Sequence, residues 1–362
     1  MKCELCSERM AKVKVGKTQK LACKECFIYW FEEDVYETIK KTNIFKRGDK
    51  VAVGVSGGKD STVLANTLDV LNKRHDLGLE LILVCIDEGI AGYRDGSIEE
   101  VHKNESDLGL KLVILSYKRI YGWTMDEIVK KIGNKNNCTF CGVFRRQALD
   151  RGAMLVGAVK LVTGHNADDI AETVLLNMLR GDVPRLERCT APMTGQEGQL
   201  PRVKPFKYTY EKDIVMYAHH RKLPYFCVDC KYSTNAHRGY ARVLIKDLER
   251  ERPQAILDLI SSGDKIAAKE DIKAPTERRC DRCGFMSSQP ICKACLLLYG
   301  LETNNLSLGI SKKGKLSDKE VVELTKNKIE RMAIDENRNY AGGCGSEDCG
   351  GGGCGSGIAV DF

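Results

Sequence analysis

Residues 51–61 read Val-Ala-Val-Gly-Val-Ser-Gly-Gly-Lys-Asp-Ser, and this stretch constrains the fold more than any other part of the 362-residue chain. An apolar run of strand type breaks into paired glycines and then into a polar helix start. Backbone N–H groups at such a helix start point outward at its positive end, where an anion is favoured. A plain strand-to-helix turn asks for glycine but not for a lysine flanked by serines. Val55, Ser56, Gly57, Gly58, Lys59, Asp60 and Ser61 are therefore the candidate phosphate-binding residues. Only Gly57 and Gly58 separate Ser56 from Lys59, so the spacing is not that of a Walker loop.

The string Ser56-Gly57-Gly58-Lys59-Asp60-Ser61 resembles the PP-loop of the ATP pyrophosphatase superfamily. That resemblance implies cleavage of ATP between the α- and β-phosphates and adenylation of a carbonyl-type oxygen. With 43% hydrophobic and 30% charged residues, the chain is long enough to bury a large core and to hold more than one folding unit. Its opening, Met1-Lys2-Cys3-Glu4-Leu5-Cys6, has no apolar signal region, and no apolar run is long enough for a bilayer. A cytoplasmic protein without membrane contact is expected. In a reducing compartment, 17 cysteines point to metal sites rather than to disulfides.

Cysteine spacing divides the sequence. Cys3, Cys6, Cys23 and Cys26 form two CxxC knuckles in one short segment, and Cys280, Cys283, Cys292 and Cys295 repeat the pattern near the C-terminus. Each set suits one tetrahedral, closed, structural Zn²⁺, so two zinc ions are expected and neither is catalytic. Between them, strand patterns at about 50–55, 80–86, 111–116 and 159–163 alternate with helical patterns at about 60–76, 96–107, 124–132, 142–156 and 168–180. The expected fold class is α/β, a doubly wound parallel sheet of the PP-loop, adenine-nucleotide α-hydrolase-like kind, flanked by N- and C-terminal zinc ribbons. The expected domains are a ribbon at 1–30, a catalytic domain at 31–250, a linker helix at 251–275, a ribbon and helix at 276–340, and a flexible Gly/Cys-rich tail at 341–362. That tail holds Cys344, Cys349 and Cys354, and a helix is expected from Ser317 to Met332.

Ligands of such sheets bind beyond the carboxyl ends of the strands. Asp87 follows the second strand, and Gly164-His165-Asn166-Ala167-Asp168-Asp169 follows the fourth. Asp87, Asp168 and Asp169 are candidates to hold Mg²⁺ against ATP phosphates, and Gly164 to line the nucleotide site. Asp168 also has the position of a helix N-cap. The net charge of +7 only permits a polyanionic partner, but bunched basic residues beside a nucleotide-activating domain favour RNA.

Cys138-Thr139-Phe140-Cys141 lies inside the sheet domain without a second knuckle nearby. Cys227 and Cys230 could complete a zinc site with it. Alternatively, Cys230 alone joins the pair, within Cys230-Lys-Tyr-Ser-Thr-Asn-Ala-His-Arg-Gly239. At these strings the chain resembles the archaeal and eukaryotic tRNA 2-thiouridine synthetases of the TtuA/NcsA type along nearly its whole length. The resemblance implies that Cys138, Cys141 and Cys230 hold a 4Fe-4S cluster whose fourth iron lacks a protein ligand and binds hydrosulfide. It implies that Lys59 neutralises phosphate charge while the C2 oxygen of an unstacked uridine is adenylated, after which sulfur displaces AMP. Cys138, Cys141, Cys230, Lys59 and Asp168 are the candidate catalytic residues. Arg145, where some relatives have lysine, is assigned to substrate or phosphate contact, and Cys85, Cys189 and Cys227 to packing. Expected partners are tRNA, a sulfur donor that is either sulfide or a ubiquitin-like thiocarboxylate carrier, and a second copy in a homodimer. The anticodon wobble uridine is the expected target. Thiolation of the T-loop uridine or of a cytidine, a persulfide mechanism without a cluster, and a non-catalytic RNA-binding scaffold stay open.

Overall fold

A computed structural model describes residues 1–195, 200–228, 230–232, 238–267, 278–310 and 358–359. In chain order it contains β1 (Val13–Lys14), β2 (Leu21–Ala22), α1 (Lys24–Thr42), β3 (Lys50–Val55), α2 (Lys59–Arg74), β4 (Glu80–Asp87), α3 (Arg94–Leu108) and β5 (Lys111–Ser116). There follow α4 (Tyr117–Tyr121), α5 (Met125–Ile132), α6 (Asn137–Leu155), β6 (Lys160–Val162), α7 (Ala167–Arg180), α8 (Val183–Thr190), β7 (Met193–Thr194) and β8 (Arg202–Val203). The last are α9 (Glu211–Arg221), α10 (Arg238–Glu251), α11 (Ala255–Ala267), β9 (Arg278–Arg279), β10 (Met286–Ser287), α12 (Lys293–Glu302) and β11 (Ile358–Ala359). The helix expected from Ser317 and the tail cysteines lie outside the described residues. No described helix is long and apolar enough to cross a membrane.

The chain forms two compact units, the first comprising 1–81, 158–227 and 235–272. In it, β3 runs parallel to β6, with Val51 opposite Lys160, and β6 runs parallel to β8, with β7 antiparallel at the end. Val51, Ala52 and Val53 are buried at successive positions, so this strand is covered on both faces, as a continuous apolar run requires. Helix α9 packs against α1 and α2, and Phe31 stacks on Tyr217 with ring centroids 4.4 Å apart. Helices α7, α8, α10 and α11 build a second core around Val174, Leu186, Ile245, Ile256 and Ile260. The segment expected to be a linker helix thus contributes α11 to that core, because Ile256 and Ile260 need burial.

The hairpin of the first cysteine ribbon is fixed by a buried carboxylate. Gly16 N–H donates to Asp213 Oδ1 at 2.9 Å, a side chain added at Gly16 would stand 2.5 Å from Asp213 Oδ2, and that oxygen has no hydrogen-bond partner among the described residues. Burial pushes the Asp213 carboxyl up to about 7, against the Gly16 N–H and Lys212, with Asp34 and Glu249 adding to the rise. A folded pKa above the unfolded one means that the native state holds a proton the unfolded chain has lost. Stability contributed here falls as pH rises from about 4 to about 7. Asp213→Asn keeps an acceptor for Gly16 and removes the charge. The variant is expected to lose this pH dependence and to melt above the parent at about pH 8, with little difference near pH 4, as thermal unfolding across that range will show.

The second unit comprises 82–157, 228–234 and 273–362. In it, β4 runs parallel to β5 from Ile82 opposite Lys111 to Asp87 opposite Ser116, and β11 runs parallel to β5. Helix α6 lies close on these strands at Gly152, where a Cβ would stand 2.7 Å from Leu115 and Val84. Its start at Asn137 puts Cys138 and Cys141 in the first helical turns, five residues before the expected start.

Candidate functional site

In the first unit, Gly57 takes φ +68°, which turns the chain from β3 into α2. Gly58 stands at the N-cap with no side-chain cap, so the first-turn N–H groups remain directed at an incoming anion. The loop is braced from within. Ser56 N–H donates to Ser61 Oγ at 3.1 Å, Ser61 Oγ donates to Gly58 O at 3.0 Å, and Phe226 N–H donates to Gly57 O at 2.8 Å. Gly164 approaches so closely that a Cβ would lie 3.0 Å from the carbonyl carbon of Asp60, which explains the glycine.

Lys59 Nζ lies 3.0 Å from Asp60 Oδ2 and 2.9 Å from Glu211 Oε1. Burial alone would lower its pKa, but the Asp60 and Glu211 carboxylates outweigh this and raise it. Burial raises the pKa of Asp60, against Lys59. Lys246 bridges Glu211 at 2.9 Å and Asp168 at 2.6 Å, and Asp168 also accepts Glu211 N–H at 2.7 Å. Asp169 pairs with Arg238 at 2.8 Å, and Arg238 and Arg242 both reach Glu172. The array is a cradle of donors and alternating charge that triphosphate oxygens can enter by displacing carboxylates from the lysines.

The cap of α7 departs from the sequence expectation. Asn166 occupies the N-cap, its side chain accepts Asp169 N–H at 3.0 Å, and Asp169 completes a capping box. Asp168 stands inside the first turn and faces Lys246 instead. Asn166 also donates to Asp60 Oδ1 at 3.1 Å, tying the two motifs together. Glu211, Lys246 and Arg238 were not singled out as site residues by sequence reading.

In the second unit, Asp87 accepts Gly89 N–H at 2.8 Å and pairs with Arg94 at 2.8 Å. Glu88 is buried, and its carboxylate lies 2.6 Å from Arg145 Nε. Arg145 Nη2 donates to Cys141 Sγ at 3.4 Å, and Tyr117 Oη donates to Cys141 O at 2.9 Å. Arg145 is thus held by a carboxylate and a sulfur. Burial pushes both the Cys141 and the Cys138 thiols up; Arg145 counters this, and the Cys230 sulfur adds to the rise in each. The Cys230 sulfur is thus near enough to act on both. Tyr232 Oη donates to Asp126 at 2.6 Å and Asn137 Nδ2 donates to Tyr232 O at 3.2 Å, which fixes the stretch after Cys230 to α5 and to the start of α6. Residues 233–237 of the same motif lie outside the described residues. Cys85 is buried, Cys189 half-buried and Cys227 exposed.

Among the described residues, Cys3, Cys6, Cys23 and Cys26 and the set Cys280, Cys283, Cys292 and Cys295 are the groups whose ligand atoms all lie within 4.8 Å of one another. Cys283 and Cys292 sulfurs are 3.7 Å apart, close to the roughly 3.8 Å edge of a tetrahedron with zinc–sulfur bonds of about 2.3 Å. Cys292 N–H donates to Cys280 Sγ at 3.2 Å, and Gln147 Nε2 of α6 donates to Cys292 Sγ at 3.4 Å, as thiolate ligands require. Cys138, Cys141 and Cys230 do not meet within that distance. Three soft thiolate donors, with Cys138 exposed, suit an iron–sulfur cluster by their chemistry.

A family model described as a PP-loop domain matches residues 31–249, and a zinc-ribbon model matches residues 278–308. The chain is 58% identical over 336 residues to cytoplasmic tRNA 2-thiolation protein 1 of Caenorhabditis briggsae, covering 93% of this chain and 87% of that one. It is 60% identical over 310 residues to the protein of the same name from Oryza sativa subsp. japonica, covering 86% and 85%. Among solved structures it is similar to the U34-tRNA thiolase NcsA from Methanococcus maripaludis with its [4Fe-4S] cluster, at 31% identity and a TM-score of 0.71, covering 87% of this chain and 99% of that one.

Proposed function

The chain belongs to the PP-loop family of cytoplasmic tRNA 2-thiolation proteins, and from that premise we propose how its residues divide the work. It is an ATP-dependent tRNA sulfurtransferase of the cytoplasm, with a uridine C2 oxygen as the atom replaced by sulfur. The target is the anticodon wobble uridine, a reading supported by the U34 specificity of the similar archaeal thiolase. The observation that carries it is the pairing, in one chain, of an uncapped phosphate-binding helix start with the separate thiol set Cys138, Cys141 and Cys230.

ATP phosphates take the first-turn N–H groups of α2, from Gly57 to Ser61, and Lys59 moves its charge from Asp60 and Glu211 to the phosphate oxygens. The uridine C2 oxygen attacks the α-phosphorus, and pyrophosphate leaves. The C2 oxygen, a poor leaving group, then departs as part of AMP when sulfur adds at C2. ATP enters as its Mg²⁺ complex; ligation by Asp87, Asp168 or Asp169 requires displacement of Arg94, Lys246 or Arg238 respectively. Cys138, Cys141 and Cys230 would hold a 4Fe-4S cluster, which supplies an open iron able to present sulfide. Arg145 and Tyr117 keep Cys141 in place. The cysteine quartets at 3–26 and 280–295 each take one structural zinc, and Gln147 links the second to the helix bearing Cys138 and Cys141. Residues 31–250 form the catalytic domain between them. Sulfur arrives as sulfide or as the thiocarboxylate of a small carrier protein.

The test is an anaerobic reaction of the protein with ATP, Mg²⁺, sulfide and unmodified tRNA, with thiolated nucleosides mapped by mass spectrometry. Wobble 2-thiouridine is expected, and Cys141→Ala is expected to lose both it and bound iron while still binding ATP. Full thiolation by iron-free protein would overturn the cluster in favour of a persulfide. Thiolation confined to the T-loop would overturn the target.

A further inference from the structure

We propose that Trp123, with Lys118, Lys130 and Lys131, forms a platform on which an unpaired nucleotide of the substrate RNA stacks. The inference rests on the reading of tRNA as substrate. Trp123 is a single residue held between two helix caps. Gly122 closes α4 at φ +76°, its N–H donating to Lys118 O, and Thr124 opens α5 with a capping box shared with Glu127. Met125 N–H donates to Glu88 O at 2.8 Å, which ties the α5 end to the segment after β4. The backbone on both sides of the indole is therefore fixed before any ligand arrives, so little ordering remains to oppose binding.

The indole is half-buried and borders a shallow groove of about 430 Å³ lined by Lys118, Gly122, Trp123, Glu127, Lys130 and Lys131. Lys131 Nζ lies 5.3 Å from the indole centroid, and Lys118 pairs with Glu127 at 2.7 Å. Three lysines against one glutamate leave the groove cationic. One aromatic ring flanked by lysine stems, with no Leu, Ile, Val or Met in the lining, offers stacking rather than the enclosed apolar pocket that a peptide side chain would fill. A base on the indole with flanking phosphates near the lysines matches both features. Asp126 of the same helix holds Lys231 at 3.1 Å and Tyr232 at 2.6 Å, so the platform and the stretch following Cys230 share one support.

The chain has two tryptophans, so Trp30→Phe leaves Trp123 as the sole indole reporter. In that background, unmodified tRNA is expected to quench Trp123 fluorescence. Trp123→Ala is expected to weaken tRNA binding about tenfold, and Trp123→Phe, which keeps a stacking ring, to restore most of it. Lys118→Gln with Lys130→Gln is expected to reduce the salt dependence of binding by roughly 0.7 per lost phosphate contact. Unchanged affinity in Trp123→Ala with no quenching in the parent overturns the platform while leaving tRNA thiolation intact. Quenching by polyglutamate but not by tRNA overturns it in favour of an acidic peptide. Failure of the parent to bind tRNA at all removes the functional reading itself, and the platform with it.

Discussion

Replacing Lys59 with methionine is expected to cut ATP-dependent release of AMP by about a hundredfold to a thousandfold, the effect of losing one preorganised donor from developing negative charge. Methionine keeps the length of the side chain and removes only the cation. Two consequences compound. The phosphates lose their neutralising partner, and Asp60 and Glu211, which stand 3.0 and 2.9 Å from Lys59, are left with Asn166 and Lys246 respectively against their charge as ATP approaches. Both kcat and the KM for ATP should therefore suffer. Because those carboxylates hold the lysine pKa above its ordinary value, Lys59 stays charged through neutral pH, and no limb of the pH–rate profile should belong to it. Glu211→Gln is the contrasting variant: it loosens one restraint on Lys59 while leaving the cation, and its turnover should stay within severalfold of the parent. Pyrophosphate and AMP release with saturating tRNA would decide the matter, and a Lys59→Met enzyme that keeps more than a tenth of parental turnover would remove Lys59 from the proposed role.

The phosphate loop and the cysteine sets were legible because their chemistry is local. A glycine pair between an apolar strand and a polar helix start, or four cysteines in two knuckles, declares itself within a short window. The main strands were equally legible, since β3, β4 and β5 carry continuous apolar runs, buried along most of β3 and β4 and at half the positions of β5. The start of α6 was not. Its first turn follows an Asn136 with no side-chain cap and opens with Asn137, Cys138 and Thr139, which show no apolar repeat, and its later buried face includes Gln147 and Arg151, polar residues that a hydrophobic pattern places on the surface. Here Gln147 donates to a zinc-ribbon sulfur, and the Arg151 guanidinium lies 4.8 Å from the Phe285 ring centroid. Glu211, Lys246 and Arg238 escaped for a related reason. Each completes the phosphate site from a distant stretch of sequence, and a single carboxylate or amine carries no mark of the partner it will meet. In sequence Asp168 suits a helix cap as well as a metal or catalytic role, because Asp serves in all of these; Asn166, two residues earlier, takes the cap and leaves Asp168 facing Lys246.

The same kind of long-range pairing governs the stability of the first unit, and Glu32→Ala is expected to destabilise it by about 3 kcal/mol, near the lower end for breaking a buried ion pair. Glu32 is fully buried in α1. It accepts from Arg74 of α2, from Arg221 of α9, and from Tyr217 Oη at 2.7 Å, so one carboxylate joins three helices. Removing it strands no cation completely, since Arg74 and Arg221 are each about one-third exposed and can turn to water, which is why the lower figure applies. Tyr217 keeps a second contact at 3.1 Å to Asn66. In a unit of this size the loss corresponds to a fall in Tm of roughly 6–12 °C. The pH dependence separates charge from packing. Burial would raise the Glu32 pKa, but the hydrogen bonds from Arg221, Tyr217 and Arg74 outweigh it and hold the pKa below the ordinary glutamate value. A depressed folded pKa contributes stability that is present above the unfolded value of about 4.3 and is lost as pH falls through the folded one. Glu32→Gln preserves volume and cannot titrate. The gap in Tm between parent and Glu32→Gln should therefore be largest near neutral pH and close on acidification below about pH 4. A gap that stays constant with pH would mean that Glu32 does not act through its charge, and a Glu32→Ala protein melting within about 2 °C of the parent would mean that the three helices hold together without it.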